Sequence, residues 1–177
     1  MDLKIDVATG DVVLAMFERV VVAIFRGTTT VQAVRRSGQL VSELYTARQR
    51  PVLVLTVVEE FASMPALEVR MELVAYLKRV NGLVDRSAVV FEGDGFRAAT
   101  VRSIVAGVSL FSRPDYPHRV FASVGAAARF LANGKLDSLA PHRVIRLVDE
   151  VRRTPPKATF MAWMQEPSSR GPLASPR

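Results

Sequence analysis

Two apolar, β-branched runs, Val12-Val13-Leu14-Ala15-Met16-Phe17 and Val20-Val21-Val22-Ala23-Ile24-Phe25, are separated only by Glu18 and Arg19. Such runs with a polar pair between them predict two antiparallel strands joined as a hairpin. Gly27 ends the second strand, and Thr29 followed by Gln32 has the spacing of a capping box. The helix it opens repeats apolar residues at Val31, Val34, Val41, Leu44 and Tyr45, leaving Arg35, Arg36, Glu43 and Arg48 for the wet side. Gly38, within that pattern, marks an expected close approach of helix to sheet. Pro51 stops the helix, and Val52-Leu53-Val54-Leu55-Thr56-Val57-Val58 is a continuous apolar run of the kind covered on both faces in a parallel sheet.

The alternation continues. Glu59 to Pro65 reads as a loop, with Ser63 or Met64 just before a helix that has Pro65 in its first turn. Leu67, Val69, Leu73, Leu77 and Val80 supply its expected buried side, and Asn81-Gly82 closes it. Arg86 to Phe91 is the next strand, followed by Gly93-Asp94-Gly95, where Asp94 is placed to cap a third helix. The apolar side of that helix is Val101, Ile104, Val105, Val108 and Phe111, and Pro114 and Pro117 end it. Arg119 to Ala122 is a short last strand; Ser123 caps a fourth helix with Ala127, Ala128 and Leu131 inward, and Gly134 ends it. The order β-β-α-β-α-β-α-β-α predicts an α/β fold, a mainly parallel sheet with an N-terminal antiparallel hairpin and right-handed crossovers. The core is expected over residues 10–134. Pro141 starts an extra C-terminal helix over 141–153, whose stripe of Val144, Leu147, Val148 and Val151 is surrounded by His142, Arg143, Arg146, Arg152 and Arg153. That stripe either docks on the parent domain or meets a partner. Residues 154–177 are rich in Pro, Ser and Gly and are expected to be disordered, with Phe160 to Met164 an apolar island inside them.

Composition narrows the function classes. The chain has 177 residues, 49% of them hydrophobic and 23% charged, so it is long and apolar enough for a real core. It has no cysteine, which removes disulfides, thiolate zinc sites, iron–sulfur clusters and thiol nucleophiles, and suits a reducing cytoplasm. The first residues carry Asp2, Asp6 and Asp11 and no apolar run, so no signal peptide is expected there. Val12 to Phe25 is interrupted by Glu18 and Arg19 and falls short of the about 20 apolar residues of a membrane span. The net charge of +7 is concentrated only over Arg143 to Lys157.

The hairpin, the alternating units and the short last strand leading into Ser123-Val124-Gly125-Ala126-Ala127 resemble the STAS-like fold of bacterial anti-sigma-factor antagonists, over about residues 10–134. The resemblance implies a non-catalytic regulatory domain that binds a protein partner, without cofactor, and is switched by phosphorylation at the start of the helix after the third strand. By position that residue is Ser63. The family's Asp-Ser-Ser-Gly signature is absent, the segment reading Phe61-Ala62-Ser63-Met64-Pro65. A helix cap is the plainer role for Ser63.

Other candidates stand beside this. Glu59 and Glu60 follow a strand end, where a partner surface is expected in α/β sheets, though a solvated loop explains them as well. Asp94, Gly95, Arg97 and Arg102 stand at a helix start and suggest a site for a small anionic ligand or lipid; a tight turn with an Asp cap is the simpler account. Arg143, Arg146, Arg152 and Arg153 suggest an anionic surface or nucleic acid, but no aromatics interleave with them as in a stacking platform, and this reading ranks last. His118 and His142 lie in no nucleophile motif, and no His or Asp cluster predicts a metal site. The expectation is a cytoplasmic binding module without catalysis.

Overall fold

The structure is a computed structural model that describes residues 3–93, 95–133 and 139–156. In chain order its elements are β1 (Leu3–Ala8), β2 (Val12–Phe17), β3 (Val20–Phe25), α1 (Val31–Arg48), β4 (Val52–Val58), α2 (Leu67–Arg79), β5 (Val84–Phe91), α3 (Gly95–Ser112), β6 (His118–Phe121), α4 (Val124–Ala132) and α5 (Pro141–Arg152). Among the described residues, six strands form one sheet in sequence order, β1 to β6. The first two pairings are antiparallel and the last three are parallel. This is the expected α/β architecture, an antiparallel hairpin followed by a parallel sheet, with one strand added before it.

The layering follows from chain handedness. Each crossover from β3 to β6 steps to the next strand in the same direction, and right-handed crossovers then place α1, α2 and α3 on one face. On that side Leu14, Val21 and Val54 of the sheet pack with Leu40 and Val41 of α1 and Leu77 of α2. After β6 the chain turns to the opposite face. There Leu131 of α4 and Val144, Leu147, Val148 and Val151 of α5 pack on Val22, Leu55 and Val90. The stripe of the 141–152 helix is therefore fully buried on the same sheet, and α5 belongs to the core.

Local chemistry explains most boundaries. The β2–β3 turn is Glu18-Arg19, with Phe17 opposite Val20 and Glu18 at a φ of 52°. The cap of α1 is Thr30 rather than Thr29: its hydroxyl accepts from the Ala33 N–H at 3.2 Å. Ser123 caps α4, accepting from the Ala126 N–H at 3.3 Å. Gly38 meets α2 instead of the sheet; a Cβ there would stand 3.1 Å from the Tyr76 ring.

The strand β1 corrects the reading of the N-terminus. It pairs with β2 through a register shift between Ile5 and Val7, which leaves Asp6 as the extra residue. Asp6 accepts two hydrogen bonds from Arg36 of α1, at 2.7 and 2.8 Å. The sheet thus begins at Leu3, ahead of residue 10, on a segment whose Asp6 is held by an ion pair with Arg36 while Lys4 stays exposed. Gly134 and Phe160 to Met164 lie outside the described residues.

Candidate functional site

The carboxyl ends of the parallel strands carry a charged cluster. Glu59 follows β4, Glu92 follows β5, and Arg152 from the end of α5 lies between them. Its guanidinium donates to Glu59 at 2.9 Å and to Glu92 at 2.6 Å. The other oxygen of Glu92 accepts from the Val124 N–H at 3.3 Å, so one carboxylate holds both the start of α4 and the end of α5. Arg26, just past β3, donates to the carbonyls of Val151 at 3.0 Å, Thr154 at 3.2 Å and Arg152. Burial works against the Arg152 charge, but its hydrogen bonds to Glu92 and Glu59 outweigh that and raise its pKa. Glu59 is therefore tied inside the fold, while Glu60 is exposed beside it. Glu92, which no motif singled out, is the hub of this cluster.

The remaining predicted residues are dispersed. Ser63 is exposed, but the N-cap of α2 is Ala66, which makes no side-chain cap, so Ser63 lies outside the helix start. Its N–H donates to the Gly27 carbonyl at 3.0 Å. Asp94 lies outside the described residues, and Gly95 opens α3 with a φ of 59°. Arg97 donates to the Ala62 carbonyl and so secures the β4–α2 loop. Arg102 is exposed five positions on, roughly 140° around the helix from Arg97. Of the basic residues on α5, Arg143 pairs with Glu18 at 2.5 Å and lies over the Phe17 ring at 5.2 Å. Arg152 is in the clamp; Arg146 and Arg153 are exposed.

Two features of the α2–α3 side were not anticipated. Between these helices runs an open groove of about 660 Å³. Its walls include Leu67, Met71 and Phe111, which are 72%, 66% and 71% exposed. Leu67 and Phe111 were expected in the core. On α2, Val69, Glu72 and Tyr76 turn inward, while Leu67, Met71, Val74 and Lys78 recur at the same helical spacing on the other side. On α3, Ala98, Val101 and Val108 are buried, and Thr100, Ser103, Gly107 and Phe111 line the groove. Both helices carry apolar residues on two sides, and an apolar residue by itself does not say which side it faces. Leu110, Phe96 and Phe61 are exposed as well.

Beneath these helices, against the sheet, is a cavity of about 110 Å³. Val89, Leu73, Val101 and Ile104 are among its apolar walls, and Thr56, Ser87 and His118 contribute the sheet's polar side chains. Ser87 and His118 are direct partners across β5 and β6. Burial lowers the pKa of His118 below its ordinary 6.5 and leaves the ring neutral at pH 7. The Tyr76 hydroxyl, also on the wall, is pushed up to about 12 by burial despite a hydrogen bond with Ser37.

Among the described residues, no group of three or more His, Cys, Asp or Glu is placed to hold a metal ion, and no helix is long and apolar enough to cross a membrane. No protein-family model matches the chain, and neither a curated protein nor a solved structure matches it. Fold and site together define an α/β protein with a mixed six-stranded sheet, a charged clamp at its strand ends and an apolar groove between α2 and α3.

Proposed function

We propose that this chain is a non-catalytic regulatory module that acts by binding another protein through the α2–α3 groove. The observation that carries this reading is the exposure of Leu67, Met71 and Phe111 together along one groove. Contiguous exposed apolar surface of this kind is uncommon on a soluble domain and marks interaction sites. The small side chains Thr100, Ser103 and Gly107 leave room between the larger walls, a shape that suits the apolar stripe of an amphipathic helix. Arg70 and Lys78 line the same groove and favour a partner helix with acidic flanks.

The STAS-like resemblance supports the regulatory part of the reading, through the run from β2 to α4. A switch at Ser63 belongs to the same proposal: the residue is exposed and stands in the loop that leads into α2. Action in bacterial signalling and a cytoplasmic location are part of it as well. An anionic ligand bound by Arg97 and Arg102 has less support, because Arg97 is engaged with Ala62 and Arg102 stands apart from it. Nucleic-acid binding by α5 has less support for a similar reason, since Arg143 and Arg152 are in ion pairs.

The test is native mass spectrometry on the chain purified from its own source, followed by affinity measurements on the recovered complex. Met71→Glu and Phe111→Glu should each weaken the complex by at least about tenfold, since a charge replaces a buried apolar anchor. Full affinity in both variants would overturn the groove as the docking site. Ser63→Asp should weaken the complex too; unchanged affinity removes the switch.

A further inference from the structure

Two apolar features of this chain suit each other. One is the α2–α3 groove, with Leu67, Met71 and Phe111 exposed along it. The other is the run Phe160-Met161-Ala162-Trp163-Met164, uncharged and holding the chain's one tryptophan, in a stretch otherwise rich in Pro, Ser and Gly. Hydrogen bonds along the rim of the sheet relate the two in space. Arg26 donates to the Thr154 carbonyl at 3.2 Å, and the carbonyl of Gly27, the next residue, accepts from the Ser63 N–H at 3.0 Å. Ser63 is four residues from Leu67, at most about 14 Å along the chain. The chain therefore leaves α5 at the same edge of the sheet at which the groove begins.

From this placement we infer that the Phe160–Met164 segment docks in the α2–α3 groove of its own chain, as a plug that a protein partner must displace. Reach allows it. Nine extended residues from Thr154 span up to about 30 Å, which carries Trp163 over the rim and past Leu67. Shape favours it, since Thr100, Ser103 and Gly107 leave room between the larger walls for an indole ring, the kind of rigid apolar anchor that dominates binding. Charge gives the direction. The charged residues that line the groove, Arg70 and Lys78, are both basic, and Glu166 is the only acid after Glu150. Lys78 lies eleven residues beyond Leu67 on α2, about 16 Å along the helix. A segment that enters at Leu67 and runs along α2 brings Glu166 toward Lys78. Tethering supplies the rest: at an effective concentration on the order of 1 mM, a dissociation constant of about 0.25 mM keeps the segment docked in about four of five molecules. Displacement by a partner rests on the protein-binding reading above; the docking itself does not.

The test uses Trp163 as its probe. Acrylamide quenching of its fluorescence in the full chain should be severalfold weaker than in Met71→Glu or Phe111→Glu, and should not vary with protein concentration. Both substituted side chains are exposed, so both variants should keep the fold, which circular dichroism checks. A dye-labelled peptide of residues 157–167, followed by anisotropy, is the second measurement. It should bind full-length Trp163→Ser, whose own segment has lost its anchor, about fivefold more tightly than the unaltered chain, where the groove is already taken. Adding Met71→Glu to that variant should abolish peptide binding. Equal quenching in all three chains, equal peptide affinity for Trp163→Ser and the unaltered chain, or quenching that varies with concentration, the mark of a second copy, would each overturn the inference. Its failure is distinct from that of the reading above. A partner complex weakened by Met71→Glu, with Trp163 quenching unchanged, leaves the groove a protein-binding site and removes the plug.

Discussion

Arg152 and Glu92 lie 60 positions apart in the chain, and the ion pair they form closes the strand-end cluster. Arg152→Ala leaves two carboxylates facing each other without their cation. All three side chains keep partial access to water, which limits the cost to about 1–2 kcal/mol. Urea denaturation measures it. Arg152→Lys should restore only part of the loss, since one ammonium cannot reproduce the guanidinium fork. Two other groups make stability depend on pH, in different windows. The folded pKa of His118 is depressed, so below about 6.5 the unfolded chain binds a proton that the folded chain refuses. Stability should therefore fall as pH drops through 6.5, and His118→Gln should flatten that limb of a stability–pH curve. For Glu72, burial acts to raise the carboxyl pKa, but hydrogen bonds from Arg79 at 2.7 Å and Arg35 at 3.1 Å outweigh it and lower it below 4.5. Its contribution is present above 4.5 and is lost as pH falls further. Arg152 was legible only as one of several basic residues on α5, and the roles of Glu92, Glu72 and His118 had no local signature, because a lone acid or a lone His at a strand end says nothing about its partners.

At the scale of elements, α5 shows how much a periodic stripe says and where it stops. The positions Val144, Leu147, Val148 and Val151 were legible as one apolar face, but whether that face meets this sheet or another molecule is not written in its spacing. The structure places all four at full burial. Leu147→Ala should consequently cost about 2–5 kcal/mol, while Arg146→Ala on the exposed side should change stability by less than about 0.5 kcal/mol. Thermal unfolding followed by circular dichroism separates the two. The strand β1 is the opposite case. Its pattern is broken by Lys4 and Asp6, and it becomes a strand because β2 offers a free edge and Arg36 neutralises Asp6. In α2 and α3 the helical period was readable, yet Leu67 and Phe111 fell on the wrong side, since each helix carries apolar residues on two sides.

Across the whole molecule, the charged clamp and the apolar groove have different consequences for substitution. Phe111→Glu should leave the unfolding midpoint nearly unchanged, because the ring is 71% exposed, while it weakens a partner complex. Unfolding and affinity measured on the same sample distinguish loss of a surface from loss of a fold. The order of strands and helices after β1, the burial of most of the Val52–Val58 run and the presence of a real core were all determined by the sequence itself. These follow from local period and from the need to remove long apolar runs from water. Only the tertiary structure decided that the core begins at Leu3 and includes α5, that Arg152 joins Glu59 to Glu92, and that α2 and α3 enclose a cavity on one side and a groove on the other. The reason is physical: such features arise between segments brought together from 60 or 93 positions apart, and local pattern specifies what each segment must bury, not which neighbour will cover it.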